Sequence, residues 1–149
     1  MSRPEIVTHS AEETIARGRE IGAHLKAPVL VLLSGDLGAG KTTLTKGIVS
    51  GLGAAAEEEV TSPTFTLVHK YERGARVYHV DLYRIADLHD LETLGLEDVF
   101  SEKAIVIVEW PDRLQLRMDW PIVRIALEHV SEDARRIVIE DSAETSPAP

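Results

Sequence analysis

Apolar residues along this chain form two kinds of pattern, short continuous runs and stretches with helical spacing. Two runs contain no polar residue, Val29 to Leu33 and Ala104 to Val108. Such runs are typical of strands that are buried on both faces of a parallel sheet. Residues 64–72 and 76–82 alternate or run apolar around a short turn, and they predict two further strands joined by that turn.

The C-terminal part of the chain predicts a hairpin. Residues 121–130 and 134–140 carry strand patterns on either side of the polar residues 131–133. Residues 142–149 are rich in Ser, Ala and Pro, a composition typical of a disordered tail. We therefore predict one domain over residues 1–141, followed by this tail.

A capping box predicts the first helix. Ser10 stands three residues before Glu13, and the helix that it begins is expected to run to about His24. Two small residues on one side of this helix, Gly18 and Gly22, indicate close packing of its backbone on the sheet. We prefer this interpretation to a ligand site.

Two more segments have helical character. Residues 43–50 predict a helix that ends at Gly51, and residues 87–94 predict a short helix that ends at Gly95. The small and acidic residues 53–59 are expected to form a loop. Strands and helices in this order place the chain in the α/β class, with a mixed central sheet that is parallel in its middle and antiparallel towards its edges.

One motif in the chain points to a specific chemistry. Residues 35–42 read GDLGAGKT and fit the G-x-x-x-x-G-K-T phosphate-binding loop, in its required place between an apolar strand and a helix. Glycines let successive backbone N–H groups point at one phosphate, and the following helix directs its positive dipole end there. Lys41 is expected to neutralise the β- and γ-phosphates, and the Thr42 hydroxyl to bind Mg²⁺.

This motif makes the predicted fold a P-loop NTPase-like domain of three layers, with the mixed sheet parallel around the phosphate loop. ATP and Mg²⁺ are the expected cofactors. The expected nucleotide contacts are Gly35, Asp36, Leu37, Gly38, Ala39, Gly40, Lys41, Thr42 and Thr43.

Two acidic residues close apolar strands. Glu109 follows the run that ends at Val108, and Asp81 follows residues 77–80. Ligands of open α/β sheets collect outside the carboxyl ends of the strands, so an acid at such an end is well placed to hold a metal ion. The alternative is that each acid only marks where a strand reaches water. The phosphate loop favours a magnesium role for Glu109, and leaves Asp81 balanced between the two interpretations.

Other candidates are less specific. The hydroxyl-rich segment 62–66 is placed to sense a γ-phosphate as switch segments do, or it is a proline-set turn into a strand. Trp110 either stacks on a base or a partner or belongs to the core. His69 and His79 lack a metal-ligand spacing partner and are interpreted as ordinary strand residues. Three arginines, at positions 84, 113 and 117, suit a phosphate or a partner carboxylate, and nothing ranks them.

Composition narrows the function. The chain has 149 residues, no cysteine, and 25 acidic against 16 basic residues, for a formal charge of −9. The absence of cysteine excludes disulfides, a thiol nucleophile and cysteine-based metal sites. The negative charge opposes direct binding to a polyanion, so any work on nucleic acid is expected to go through a partner. Without a signal-peptide core or a membrane-length apolar run, we expect a cytoplasmic protein.

The choice of nucleotide follows by elimination. The chain contains no asparagine, so it lacks the Asn-Lys-x-Asp guanine reader, and adenine is favoured. No second glycine-rich loop or arginine-dense lid is present, which argues against a small-molecule kinase acting alone. No group that positions water is evident, so slow turnover is expected in isolation.

Five sequence blocks carry a family resemblance. They are GDLGAGKTT at 35–43, SPTFTLV at 62–68, HVDLYR at 79–84, GLED at 95–98 and VEWP at 108–111. Their order and spacing resemble the signatures of the TsaE family, also called YjeE, and the H-x-D-L-Y-R and E-W-P blocks are specific to it. The resemblance implies an ATPase that joins TsaB and TsaD in bacteria, where the assembly makes threonylcarbamoyladenosine beside the anticodon of tRNA.

The resemblance also implies residue roles. Lys41 and Thr42 would hold the phosphates and Mg²⁺, Glu109 would be the second acid of the magnesium site, and Asp81 would be needed for activity. Segments 62–68 and 81–84 resemble the two switches of the family. Adenine in such proteins lies near the start of the first helix and the last strands, which makes Ser10 and Arg135 candidates for base contacts.

Three functions remain open from the sequence. The first is an accessory ATPase, weak alone and stimulated by its partners, that does not itself transfer the threonylcarbamoyl group. The second is a module that uses ATP without hydrolysing it, only to fix a conformation for docking. The third is a stand-alone kinase for a small hydroxylated substrate, which the missing lid disfavours.

Overall fold

A computed structural model describes residues 5–35, 39–61, 68–82, 103–110 and 120–141 of the chain. Within these ranges, seven strands form one sheet, together with two helices and a 3-10 turn at Glu57–Glu59. The strands are β1 (Glu5–Thr8), β2 (Val29–Ser34), β3 (Val68–Tyr71), β4 (Val77–Asp81), β5 (Ile105–Glu109), β6 (Ile122–His129) and β7 (Arg135–Asp141). The helices are α1 (Ala11–Ala23) and α2 (Lys41–Gly51).

The middle of the sheet is parallel and its edges are antiparallel. The strand order is β1-β7-β6-β2-β5-β4-β3. Strands β6, β2, β5 and β4 run in one direction, whereas β1 pairs with β7, β7 with β6, and β3 with β4 in antiparallel ladders. The predicted mixed α/β sheet is therefore confirmed, and the closing hairpin and the pair around residues 72–75 are confirmed with it.

The two faces of the central strands bury separate sets of apolar residues. One set includes Val31 and Leu33 of β2 and packs against Leu44 and Ile48 of α2. The other set includes Leu30 of β2 and lies on the opposite face of the sheet. Apolar side chains on both faces explain why β2 and β5 contain almost no polar residue. The predicted helix at 87–94 and the predicted tail lie outside the described residues.

Glycines bring α1 and α2 into backbone contact. A Cβ atom at Gly18 would lie 2.5 Å from the Leu44 carbonyl oxygen and 2.9 Å from the Ile48 nitrogen, and Gly22 and Gly47 are equally confined. The sequence prediction that the small residues of α1 pack on the sheet is wrong, because they pack on α2. Composition indicates that a close neighbour exists but not which element it is.

Local boundaries differ from the sequence predictions at three places. Helix α2 begins at Lys41 rather than residue 43, because the loop glycine before it serves as the N-cap. The predicted loop at 53–59 ends in the 3-10 turn. Strand β1 was not predicted, since four residues with alternating exposure carry too little pattern. No helix within the described ranges is long and apolar enough to span a membrane.

Replacement of Gly18 by alanine tests the helix contact. Helix propensity alone would make Gly18→Ala stabilising by about 1 kcal/mol. The contact predicts the opposite sign, a loss of about 1–3 kcal/mol in the free energy of unfolding, because the added methyl group forces the helices apart. Urea unfolding measures this difference.

Arg17→Ala provides the control on the same helix. Arg17 is exposed and pairs only with Glu20, at 3.0 Å, in the part of the chain that the structure describes. Its loss should change the unfolding free energy by less than about 0.5 kcal/mol. A stabilised Gly18→Ala protein would contradict the close packing of the two helices.

Candidate functional site

The carboxyl ends of three parallel strands meet at one edge of the sheet. Leu33 of β2 lies in register with Glu109 of β5, and Glu109 in turn lies in register with Asp81 of β4. The phosphate-loop motif follows β2 at this edge and leads into α2. The two acids predicted from the sequence are therefore neighbours on adjacent strands, next to the strand that leads into the loop.

Glycines at both ends of the loop adopt positive φ angles. The φ angle is 149° at Gly35 and 100° at Gly40, where side chains are disfavoured. A Cβ atom at Gly35 would also lie 2.6 Å from the carbonyl oxygen of Leu127 on β6. The loop thus begins against the backbone of a neighbouring strand, and Gly40 forms the N-cap of α2. Asp36, Leu37 and Gly38 lie outside the described residues.

Lys41 is the first residue of α2 and is only 6% exposed. Its Nζ atom donates a hydrogen bond to the Gly35 carbonyl oxygen at 2.5 Å, which ties the two ends of the loop together. The same ammonium group lies 4.4 Å from the centroid of the Trp110 ring, a cation–π geometry. A buried positive charge at a helix N-terminus favours an anionic ligand.

Trp110 has an unusual backbone conformation. Its φ angle is 62°, a left-handed value that costs a residue with a Cβ atom about 1–2 kcal/mol. Its N–H group donates to the Leu33 carbonyl oxygen at 3.3 Å, and its ring packs against the apolar cluster of the opposite sheet face. The interpretation of Trp110 as a core residue is confirmed, because its ring packs against this cluster, whereas its stacking on a base or a partner stays a prediction.

The remaining loop residues lie at the start of α2. Ala39 is buried, while Thr42 and Thr43 are partly exposed in the first turn. The first turn of α2 therefore contains two hydroxyl-bearing residues directly after the buried Lys41.

Glu109 and Asp81 are buried, with 3% and 4% of their surfaces exposed. Buried carboxylates need a partner, because removal from water penalises the charged form. For Glu109 that partner is His79, whose Nε2 atom lies 2.5 Å from the Glu109 Oε2 atom. The interpretation of His79 as an ordinary strand residue is wrong. Its position two residues before Asp81, and therefore on the same sheet face, was the signal that could have placed it near the acids.

A magnesium ion held by phosphate oxygens needs few protein ligands, usually one or two oxygens. Within the described ranges, no three His, Asp or Glu side chains are grouped to hold a metal ion by themselves. The buried Glu109 carboxylate and the hydroxyl of Thr42 fit the smaller requirement. Together with the glycines of positive φ and the buried lysine, the residues present fit a Mg²⁺–nucleotide complex.

Ser10 and Arg135 lie at the same edge of the sheet. Thr8, at the end of β1, is in register with Arg135, and a Cβ atom at Gly40 would lie 3.8 Å from the Arg135 Nε atom. The Ser10 hydroxyl accepts a hydrogen bond from the Glu13 N–H group at 3.1 Å and caps α1. The structure thus brings Arg135 next to the loop and gives Ser10 a capping role. Their assignment to adenine remains a prediction.

Several candidates lie outside the described residues. They are the switch segment 62–66, residues 83 and 84 of the second switch, the block at 95–98, and the arginines at 84, 113 and 117.

Comparison with known proteins gives a consistent family match. The sequence model of the family described as "Threonylcarbamoyl adenosine biosynthesis protein TsaE" matches residues 8–137. Proteins named "tRNA threonylcarbamoyladenosine biosynthesis protein TsaE" are similar to this chain. The protein from Haemophilus influenzae is 41% identical, over 76% of this chain and 71% of its own length. The protein from Treponema pallidum is 35% identical, over 89% and 97% of the two chains.

A solved structure supports the same relationship. The crystal structure of YdiB from Bacillus subtilis superimposes with a TM-score of 0.71 at 30% sequence identity. The match covers 93% of this chain and 84% of the other. The likeness therefore extends far beyond the loop motif.

The contact between Lys41 and Trp110 can be measured with a double-mutant cycle. Lys41→Met, Trp110→Leu and the double variant should give a coupling energy of about 0.5–2 kcal/mol in chemical unfolding, because the ammonium group is desolvated over the ring. Lys70 and Tyr78 provide the comparison: the distance from the Lys70 Nζ atom to the ring centroid is 5.3 Å and Lys70 is 41% exposed. A smaller coupling is expected there. If the Lys41–Trp110 and Lys70–Tyr78 pairs both gave coupling energies near zero, the cation–π contact of Lys41 with Trp110 would not stabilise the fold.

Proposed function

This chain belongs to the TsaE family, and from that premise we propose that it is an ATP-binding and ATP-hydrolysing subunit in the biosynthesis of tRNA threonylcarbamoyladenosine. The observation that carries the proposal is the buried Lys41, which follows Gly40, donates to the Gly35 carbonyl and lies over Trp110, the residue after Glu109. The names of the relatives assign them to this biosynthesis. The family model matches residues 8–137, which is most of the chain.

The phosphate loop binds the triphosphate through its backbone and through Lys41. N–H groups at the start of α2 point towards the loop, and no side chain can replace the glycines that allow this curvature. Lys41 compensates the negative charge of the β- and γ-phosphates by leaving the Gly35 carbonyl for phosphate oxygens. Because Lys41 is already buried, this exchange requires little further desolvation of the ammonium group.

The metal is held by Thr42 and Glu109 in this proposal. When bound, Mg²⁺ would supply positive charge to offset the charge that develops on the phosphate oxygens during hydrolysis. Glu109 provides its carboxylate from the end of β5, directly or through water, and Thr42 provides its hydroxyl from the first turn of α2. Asp81, in register with Glu109, is a second acceptor at the same edge and is proposed to support hydrolysis.

Partners complete the activity in this proposal. The formal charge of −9 opposes direct contact with tRNA, so TsaB- and TsaD-type proteins hold the RNA and this subunit acts on them. Hydrolysis is slow in isolation and is stimulated in the complex, which transfers the threonylcarbamoyl group without direct chemistry by this chain. The proposed location is the cytoplasm, where the tRNA is modified.

Loss of the loop lysine tests nucleotide binding. Lys41→Ala should weaken ATP binding by about thirty-fold or more and abolish phosphate release in the presence of TsaB and TsaD, because the phosphates lose their charge partner. Calorimetry in magnesium buffer and a phosphate-release assay measure the two effects.

Lys46→Ala provides the matched control on the same helix. Lys46 lies further along α2, where its Nζ atom donates to the Val60 carbonyl oxygen at 2.7 Å, away from the loop. This variant should retain ATP binding. If well-folded wild-type protein takes up neither ATP nor ADP, the proposed function is wrong.

A turnover experiment separates hydrolysis from mere nucleotide-dependent docking. With the threonylcarbamoyl donor supplied preformed, a non-hydrolysable ATP analogue should support a single round of tRNA modification and block further rounds. Comparison of single-turnover and multiple-turnover yields with ATP and with the analogue measures this effect. Equal yields over many rounds would instead favour the docking module.

A further inference from the structure

We propose that His79 is a positioning residue for Glu109, which holds the carboxylate of Glu109 in the orientation that the magnesium site requires. This inference rests on the proposed function, because Glu109 is the acid that the proposed function assigns to the metal and His79 is its hydrogen-bond partner. It is carried by a contact between two buried side chains that neither the loop motif nor the strand-end argument includes.

The contact is enclosed on all sides. The His79 side chain is fully buried and that of Glu109 is 4% exposed, and the distance from Nε2 to Oε2 is 2.5 Å. A carboxylate at such a depth cannot exchange a lost protein partner for bulk water. The hydrogen bond therefore determines how the Glu109 carboxylate is turned, and it occupies only one of the two carboxylate oxygens.

The hydrogen-bond pattern also assigns the imidazole tautomer. Glu109 Oε2 accepts, so His79 Nε2 must carry the hydrogen. The other ring nitrogen, Nδ1, has no hydrogen-bond partner among the described residues. A buried N–H group without an acceptor is more costly than an unpaired ring nitrogen, which favours a ring with hydrogen on Nε2 and none on Nδ1.

The neighbouring acid makes this orientation necessary. Glu109 is in register with Asp81 on an adjacent strand, and neighbouring strands lie about 4.8 Å apart. Two charged carboxylates on adjacent strands repel each other, and a donor to Glu109 opposes the rotation of its carboxylate that this repulsion favours. His79 lies on the same strand as Asp81 and provides that donor. Partners that orient a metal ligand typically contribute ten- to a hundred-fold to metal affinity or activity.

Three substitutions at one position test the role. In His79→Gln the amide nitrogen reaches the place of Nε2, whereas the amide in His79→Asn is too short, and His79→Leu removes the donor. We expect His79→Leu and His79→Asn to lower the partner-stimulated kcat about ten- to a hundred-fold with a smaller change in KM. His79→Gln should recover most of the rate. His69→Leu is the matched control, since His69 lies opposite His79 on β3 and contacts Tyr71.

Two further readouts do not depend on catalysis. Calorimetry of ATP binding with Mg²⁺ and with EDTA should show that the gain in affinity from Mg²⁺ is reduced about ten-fold or more in His79→Asn and retained in His79→Gln. Nitrogen-15 NMR of the free protein should show the Nε2–H tautomer for His79, and the signal should shift in Glu109→Gln.

The outcomes separate this inference from the proposed function. Equal loss in the Gln, Asn and Leu variants would indicate a role in folding only and would overturn the inference. Wild-type behaviour of the Asn and Leu variants would overturn it as well. If His79→Leu does not fold, the comparison of Gln with Asn decides. Absence of ATP binding by the wild-type protein would refute the proposed function, while the NMR tautomer would still test the contact.

Discussion

The site depends on the in-register parallel pairing of β2, β5 and β4. Because these strands run in one direction and end together, Leu33, Glu109 and Asp81 lie side by side at one edge of the sheet. A parallel sheet must be covered on both faces, so β2 and β5 are apolar up to their last residues, Ser34 and Glu109. The same rule that builds the core thus collects the acids beside the loop.

A second constraint fixes the helix that follows the loop. Helix α2 is held by the apolar sheet face beneath it and by direct backbone contact with α1. Lys41 then reaches back to the Gly35 carbonyl and lies over Trp110, so that the two ends of the loop and the end of β5 are joined through one ammonium group. These contacts offset the free-energy cost of the positive φ angle of Trp110. They also hold the Trp110 ring next to the Lys41 ammonium group.

The sequence predicted the central features because each depends on local pattern. The buried strands follow from two apolar runs, the loop from its glycines and lysine, and the strand-end positions of Glu109 and Asp81 from the apolar residues that precede each acid. The family match confirms the resemblance drawn from the five blocks. The 62–68 switch, the helix at 87–94 and the domain limits remain predictions, since they depend on undescribed residues or are untested.

Features that depend on pairing between distant segments were missed. The partner of Gly18 is another helix, which no local pattern identifies. His79 is 30 residues away from Glu109 in sequence, and only the register between β4 and β5 makes them neighbours. The positive φ angle of Trp110 accompanies a hydrogen bond to Leu33, which is 77 residues away in sequence, and no local pattern indicates it.

The glycine contact between α1 and α2 limits how this molecule can change shape. Where main chains touch without intervening side chains, no rotamer change can let one helix slide past the other. Any displacement of the first turn of α2 would then carry both helices as one rigid lever to their far ends, about 16 Å away for an eleven-residue helix. Those ends, with Gly22, Gly51 and Leu52, border an open cavity of about 480 Å³ on the other side of the domain. The glycines between α1 and α2 therefore couple movement at the phosphate loop to movement at this cavity.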